Sequence, residues 1–221
     1  MTAALTFHPL TPDRWPDLER LFGPNGAYSG CWCMFWRQTG SDWHGCDGPG
    51  RKKAFKAVCT KGDRPPGLIA YRDEDPIGWV AIAPRADYVR LAHARVLVPL
   101  DDKPVWSITC FFIHRIARRQ GLMEKLIAAA VDFARDQGAT IVEAYPRPVT
   151  GKEASTTLYV GTVNCFERAG FKVMARPSEK RAVVRKTLRT RRARRAQGSV
   201  GSSAGSPAVL RAGRDPHGTG G

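Results

Sequence analysis

The spacing of apolar residues along the chain predicts several helices separated by strands. In the longest helical pattern, apolar side chains recur three and four residues apart from Leu122 to Ala134, and Gly138 follows as a stop signal. Thr11 and Pro12 form a typical helix start before a shorter pattern of the same kind, which ends at Gly23. Helices are therefore predicted over residues 11–23, 49–59, 122–138 and 156–169.

Strands are predicted where apolar and β-branched residues form short continuous runs. The run VWSITCFFI, from Val105 to Ile113, is nearly all apolar, which is typical of a central strand covered on both faces. Together with the helix from residue 122 and the run TIVEAYP, it makes a strand–helix–strand unit that joins parallel strands. Two antiparallel hairpins are predicted, GLIAYRD with PIGWVAIAP and FKVMAR with RAVVRKTL.

Composition and charge narrow the class of protein. The chain has 221 residues, enough for one substantial domain, and its 43% hydrophobic content is ordinary for a globular protein. Its 35 Lys and Arg against 20 Asp and Glu give a net charge of +15, which predicts attraction to polyanions or phosphorylated ligands. Residues 185–221 carry +8 of this charge, and no apolar period follows residue 188. A folded domain over 1–188 and a disordered basic, then Gly/Ser-rich tail over 189–221 are predicted.

The expected compartment is the cytoplasm. Six cysteines in a chain of this size do not make a disulfide scaffold, and the start MTAALTFHPLTPDRW lacks the pattern of a signal peptide. The best apolar run, from Val105 to Ile113, is of strand length and too short to span a bilayer. No membrane partner is expected.

A basic turn precedes the longest predicted helix. Arg115, Arg118 and Arg119 crowd the start of this helix, where the helix dipole disfavours cations by about 0.3–1 kcal/mol each. Exposed amides, the glycine at position 121 and the positive end of the dipole would together bind an anion, and arginines would strengthen the binding. The sequence therefore predicts a phosphate or pyrophosphate site, unless these arginines simply point into water.

The same turn carries a family resemblance. Residues Arg118–Met123, RRQGLM, resemble the acyl-CoA-binding motif Gln/Arg-x-x-Gly-x-Gly/Ala of the GNAT acyltransferase superfamily. Arg118 and Gly121 match the motif, whereas Met123 replaces its final small residue. The segment CFERAGF, from Cys165 to Phe171, resembles the aromatic-x-x-x-Gly-Phe signature of the same family, and the order of elements over residues 5–188 is similar too.

The resemblance implies both a fold and a donor site. It implies an α/β (α+β) fold with a mixed, mostly antiparallel sheet, flanked by helices and splayed open between strands 105–113 and 140–145. Acetyl-CoA would be the co-substrate, with its pyrophosphate at the basic turn and its pantetheine arm along the central strand. The donor-binding residues implied in this way are Phe112, Ile113, Arg118, Arg119, Gln120, Gly121, Leu122 and Met123.

Candidate catalytic groups border the implied cleft. Glu143 is the only acid on its strand and is the candidate base, acting through water, although a surface strand carboxylate is the more common role for such a residue. In much of the family a tyrosine of the last helix protonates the departing thiolate, but Phe166 stands at that position here. Tyr159 and Tyr145 are the candidate replacements, and either also fits the pattern of a half-buried aromatic.

An aromatic and cysteine-rich segment follows the first helix. The resemblance implies that this region lines the acceptor pocket, while plain core packing explains the aromatics equally well. The candidate substrate-binding residues are Trp32, Phe35, Trp36 and Trp43. A zinc site is the alternative that Cys31, Cys33, His44 and Cys46 offer. Because these lack the common Cys-x-x-Cys pairing of structural zinc sites, no metal is predicted.

Taken with the resemblance, these features predict an N-acetyltransferase that acts directly on an amine of a small molecule or peptide. The alternative is a noncatalytic acyl-CoA-binding scaffold or a nucleic-acid-associated protein, in which nucleic acid binds only through the basic tail. Covalent transfer through Cys110 or Cys165 is a third hypothesis, disfavoured because neither has a histidine next to it in sequence. The sequence indicates no oligomeric state.

Overall fold

The computed structural model describes residues 4–149 and 158–189. The strands of this part of the chain are β1 (Leu5–Pro9), β2 (Gly67–Arg72), β3 (Asp75–Pro84), β4 (Trp106–Ile113), β5 (Ile141–Ala144), β6 (Lys172–Ser178) and β7 (Arg181–Thr187). Its α-helices are α1 (Trp15–Phe22), α2 (Gly40–His44), α3 (Gly48–Lys61), α4 (Val89–Ala92), α5 (Leu122–Asp136) and α6 (Val163–Arg168).

The described strands form one seven-stranded sheet in the order β1-β2-β3-β4-β5-β7-β6. Strands β4 and β5 run parallel, and every other neighbouring pair is antiparallel. Strand β4 is the central strand, because three strands lie on each side of it. The predicted mixed, mostly antiparallel sheet is confirmed, and so is the central place of the run from Val105 to Ile113.

Helices cover both faces of the sheet because each has one apolar side. Helix α5 buries Leu122, Leu126 and Ile127 against the strands, and each fully buried side chain of this size contributes about 1.5–3 kcal/mol. On the other face, Phe22 of α1 and Phe55 of α3 meet Trp79 of β3, with ring centroids 6.1 and 5.9 Å apart. The central strand is therefore covered on both faces, as its apolar run predicts.

The structure differs from the sequence prediction at the first helix. Residues Pro12–Arg14 form a 3-10 turn, and α1 begins only at Trp15. The Thr11 side chain does not cap the helix, because its hydroxyl accepts a hydrogen bond from the Arg14 guanidinium at 3.2 Å. Strand β1 was not predicted, since it is a short, half-buried edge strand with weak apolar alternation.

The last predicted helix is shorter than expected. Helix α6 begins after Thr162, whose hydroxyl accepts from the Cys165 amide at 3.3 Å, and Gly170 ends it at a φ of +82°. A separate 3-10 turn, Leu158–Val160, precedes it, and residues 156 and 157 lie outside the described part of the chain. The predicted tail also lies outside it beyond residue 189, so the division at residue 188 stays a prediction.

We predict that Gly67→Ala destabilises the fold by about 3 kcal/mol, because overpacking of a core shifts its backbone. A Cβ at this position would lie 2.2 Å from the Val80 carbonyl oxygen and 2.6 Å from the Trp79 ring. Gly40→Ala is the matched control, since nothing lies within 4 Å of its Cβ position. Urea denaturation measures both variants, and equal free energies of unfolding would contradict this packing.

Candidate active site

The sheet divides between its two parallel strands. Strands β4 and β5 pair only at Trp106 with Val142, Ser107 with Glu143, and Ile108 with Ala144. Beyond Ile108 no further pairing with β5 is formed, although β4 continues to Ile113 beside β3. On its edge toward β5, the second half of β4 therefore has backbone amides and carbonyls that β5 leaves unpaired. A ligand in the opening could form hydrogen bonds with them.

A β-bulge lies at the start of this separation. Ile82 pairs with Ile108 and Ala81 with Cys110, so Thr109 has no partner residue on β3. A bulge adds a residue to one strand and re-aims the side chains that follow it. The sequence could not reveal it, because a continuous apolar run contains no alternation that a bulge would interrupt.

The basic turn lies between the end of β4 and the start of α5. Gly121 caps α5 with a φ of +71° and has nothing within 4 Å of its Cβ position, so its backbone is open to a ligand. Arg119 also has a left-handed φ of +61°, which costs a non-glycine residue about 1–3 kcal/mol. The first amides of a helix have no partners within it, so this turn suits an anion.

Side-chain hydrogen bonds hold the turn against the sheet. Arg118 Nε donates to the Ile113 carbonyl at 3.1 Å. The Gln120 side chain donates to the Ile116 carbonyl at 2.8 Å and accepts from Arg72 of β2 at 2.6 Å. The exposed guanidinium groups of Arg118 and Arg119 thus lie on a turn that these hydrogen bonds hold in place.

Not all of the predicted donor-binding side chains face the opening. Leu122 is buried and would touch a Cβ at Gly78, and Met123 packs partly against the core. The buried Leu122 can meet a ligand only through its backbone, whereas Met123 is partly exposed. Phe112 and Ile113 are half-buried at the end of β4, and the Phe112 ring lies 5.5 Å from that of Phe22.

Glu143 is a buried ion-pair centre. Its side chain is 1% exposed, and it accepts from Arg85 at 3.0 Å and from Arg185 Nε at 2.6 Å. Tyr145 donates to the same carboxylate at 2.6 Å. The alternative of a surface carboxylate is wrong for Glu143, because three donors enclose it. Because these donors surround the Glu143 carboxylate, it is poorly placed to take a proton from an acceptor amine.

Tyr145 belongs to the same network. Its hydroxyl is hydrogen-bonded to Ser107 at 2.9 Å and also contacts Arg85. Burial, followed by the charge of Glu143, raises the pKa of Tyr145 far above its ordinary value, so it stays protonated. Tyr159 is half-buried in the 3-10 turn before α6, and burial raises its pKa as well.

Phe166 lies in the core of the described domain. Its ring contacts those of Phe111 and Phe171 at centroid distances of 6.1 and 5.0 Å. A Cβ at Gly161 would lie 2.8 Å from the Phe166 ring, so the chain before α6 passes directly over this ring. Packing is thus the role of this position here.

The aromatic segment divides between two clusters. Trp32 is buried beside Trp15, with ring centroids 6.1 Å apart, and Trp36 is buried 6.5 Å from Tyr145. Phe35 and Trp43 are half-buried and lie 5.4 Å apart. The core-packing alternative thus describes Trp32 and Trp36 well, whereas a pocket-lining role for the four aromatics stays a prediction.

Two arginines of the chain itself cover the faces of the half-buried rings. The Arg51 guanidinium lies 3.9 Å above the centroid of Trp43, and that of Arg90 lies 4.2 Å above Phe35. Because these cation–π positions are filled, the two rings do not offer those faces to a substrate cation.

The cysteines do not form a metal centre in the described part of the chain, which holds no suitable group of three or more His, Cys, Asp or Glu. Cys33 accepts a hydrogen bond from Trp79 Nε1 at 2.9 Å. A contact with Cys33, followed by burial, raises the pKa of the Cys110 thiol well above its ordinary value. With a raised pKa, the thiol stays protonated at neutral pH and is a poor nucleophile. This argues against covalent transfer through Cys110.

A large cavity opens beside the carboxyl end of α1. Its volume is about 1030 Å³, and it lies between the loop after α1 and the start of α3. Its wall includes Trp32 and an ion pair of Lys52 with Glu19 at 2.8 Å. Of the predicted aromatics, Trp32 therefore borders a space large enough for a small molecule.

Sequence comparison decides the family. A model of the acetyltransferase (GNAT) family matches residues 30–171, which is more than half of the chain. The chain belongs to the GNAT acetyltransferase family. It is therefore an acyltransferase, and acetyl transfer is the chemistry of its family. A comparison with curated proteins gave no match.

Several solved structures are similar to this GNAT protein. The aminoglycoside N-acetyltransferase AAC(6')-Iy in complex with CoA is 16% identical, with a TM-score of 0.50 over 80% of this chain and 93% of that one. The PaiA N-acetyltransferase of Thermoplasma acidophilum, also with CoA, is 10% identical, with a TM-score of 0.47 over 84% and 99%. Arabidopsis thaliana NAA60 with acetyl-CoA is 13% identical, with a TM-score of 0.45 over 84% and 100%.

Among the helices of the described residues, none combines the length and apolar character needed to cross a bilayer.

We predict that Glu143→Gln lowers the free energy of unfolding by about 3–5 kcal/mol, because it removes the buried charge that pairs with both Arg85 and Arg185. Glu124→Gln is the control, since the Glu124–Arg168 pair is exposed and worth about 0–1 kcal/mol. Chemical denaturation measures both. An unchanged unfolding free energy for Glu143→Gln would show that the buried network does not stabilise the fold.

Proposed function

We propose that this GNAT protein transfers the acetyl group of acetyl-CoA directly to an amine of a small molecule or peptide. The observation that carries the proposal is the separation of β4 from β5 next to an anion-binding turn. Beyond Ile108, the edge of β4 that β5 leaves unpaired suits an extended ligand arm that contains amides. The turn after β4 suits a pyrophosphate.

The donor site would use backbone more than side chains. The amides at the start of α5, near Gly121, would hold the pyrophosphate, with Arg118 and Arg119 adding charge-assisted hydrogen bonds. The β4 backbone at Phe112 and Ile113 would pair with the pantetheine arm. The Leu122 side chain is buried in the core, and the Met123 side chain, where the family motif has a small residue, packs against that core while staying partly exposed.

Direct transfer fits the surroundings of the opening. A raised thiol pKa makes Cys110 a poor nucleophile, and no covalent intermediate is needed if two substrates meet in the cleft. Glu143 would act as a positioning residue that holds the Tyr145 hydroxyl and the two halves of the sheet. Tyr159 remains the candidate for protonating the departing thiolate, because it packs against the cluster that contains Tyr145.

We predict that Gly121→Glu weakens acetyl-CoA binding about 100-fold, which corresponds to about 2.7 kcal/mol. The new side chain strains a left-handed backbone and places a negative charge at the anion site. Calorimetry measures the affinity, and release of the CoA thiol across a panel of amines measures transfer.

Gly138→Glu is the matched control for this variant. Gly138 lies at the opposite end of α5, has a φ of +85° and also has nothing within 4 Å of its Cβ position. The two variants share the backbone strain, so only the position of the charge differs. Equal loss of acetyl-CoA binding in both would remove the proposed pyrophosphate site.

A further inference from the structure

Three consecutive residues of the aromatic segment each hold a buried polar atom that makes no hydrogen bond within the described residues. These atoms are Trp36 Nε1, Arg37 Nη2 and Gln38 Oε1. A buried polar atom without a partner is unfavourable, and most such atoms in proteins are hydrogen-bonded. Their concentration in one short segment therefore points to a ligand that supplies the partners.

The charge of the Arg37 guanidinium is buried with little compensation. The side chain is 8% exposed, and Asp87, its one carboxylate within 4 Å among the described residues, lies 3.9 Å from Nη1 and is itself exposed to solvent. That distance is too long for a hydrogen bond. The guanidinium also lies over the Tyr88 ring, 4.7 Å from its centroid. Because a buried charge needs close hydrogen bonds to offset its lost hydration, Arg37 is short of a partner.

Arg185 shows how an arginine of this fold binds two carboxylates. Its Nε donates to Glu143 at 2.6 Å, and its Nη1 donates to Asp101 at 2.7 Å. The Arg37 side chain has the same exposed fraction as that of Arg185 but has only the distant contact with Asp87. The Arg37 guanidinium can therefore bind a second carboxylate through Nη2.

The segment lies beside the place where β4 and β5 separate. The Trp36 ring lies 6.5 Å from that of Tyr145, the residue directly after β5. The Tyr88 hydroxyl contacts that of Thr109, one position after the last β4–β5 pair, and Tyr88 packs in the same cluster as Trp36. The two unpartnered donors therefore flank the opening in which the acceptor would meet the thioester.

The chemistry of these donors selects an anion. An indole N–H and a guanidinium N–H can only donate, so the ligand must bring acceptor oxygens. Arg181 adds positive charge on this side of the sheet, because it contacts the Tyr159 hydroxyl and forms no ion pair within the described residues. A carboxylate carries one negative charge and two oxygens, which suits one guanidinium N–H and one indole N–H.

We propose that the acceptor amine also carries a carboxylate, which binds Arg37 Nη2 and Trp36 Nε1. The acceptor class is then amino acids and other amino-carboxylates, rather than amines that carry only positive charge, such as polyamines. This inference rests on the proposed acetyl transfer and narrows its substrate.

Pairs of acceptors that differ only in the carboxylate test the inference with the full-length protein at saturating acetyl-CoA. Each pair is an amino acid and its carboxamide, and the pairs differ in the length of the carbon chain between amine and carboxylate. Release of the CoA thiol measures kcat/KM. We expect a preference for the carboxylate of about 10- to 100-fold in at least one pair, as for a hydrogen bond between charged groups.

Variants of the two donors supply a readout that a general loss of folding would not change. This readout is the ratio of kcat/KM for the amino acid to kcat/KM for its carboxamide. Arg37→Met should abolish the preference, and Trp36→Phe should lower the ratio about tenfold. Arg37→Lys should retain part of the preference, because the charge stays while the planar fork is lost.

Arg64→Met is the matched control. It removes the same charge, and its guanidinium also lies over an aromatic ring, 5.8 Å from the centroid of Trp106. Because Trp106 begins β4, at the opposite end of that strand from the opening, the ratio should stay at the wild-type value. If Arg37→Met does not fold, Arg37→Lys and Trp36→Phe still decide the test.

The outcomes separate this inference from the proposed function. Equal kcat/KM for the amino acid and its carboxamide in every pair would overturn the inference and leave acetyl transfer standing. A preference that survives in both the Arg37 and the Trp36 variants would also overturn it, since another group would then bind the carboxylate. Acetyl-CoA binding without transfer to any amine would overturn the proposed function and the inference together.

Discussion

Three residue pairs between β4 and β5 join the two halves of the sheet, and the cleft depends on how these pairs are held. Ser107, Glu143 and Arg185 lie side by side across β4, β5 and β7, because Glu143 is the register partner of both other residues. A buried carboxylate between two guanidinium groups is costly to disrupt, by about 3–5 kcal/mol if one partner is lost. The network therefore joins β4, β5 and β7 just before β4 and β5 separate.

The arginines of the domain divide by position into two functional groups. Arg85 and Arg185 neutralise buried carboxylate, and Arg90 covers an aromatic ring. By contrast, Arg118 and Arg119 are exposed beside a helix start whose amides point outward. Part of the positive charge of the domain is therefore exposed at the turn where we propose that the anionic donor binds, whereas the arginines near Glu143 are paired with carboxylates.

The sequence predicts the features that depend on residues close together in the chain, namely elements with a clear apolar period and turns with recognisable residues. Apolar spacing placed α5 and β4, and the basic turn with Gly121 placed the candidate donor site. It could not predict the enclosure of Glu143, because Arg85 and Arg185 lie 58 and 42 residues away along the chain. Nor could it predict the bulge at Thr109, since the apolar run of β4 has no alternation that a bulge would interrupt.

Backbone strain occurs both in the loop after α1 and at the basic turn, and packing accounts for it only in the loop. In that loop, Trp32 and Cys33 hold a left-handed backbone, which costs a residue other than glycine about 1–3 kcal/mol. Both side chains are buried in the aromatic cluster around Trp79, so their packing offsets that cost. Arg119 at the basic turn holds a left-handed backbone too, but it is exposed and buries no apolar surface. Because packing does not explain the strain at Arg119, this strain fits the anion site that we propose at the turn.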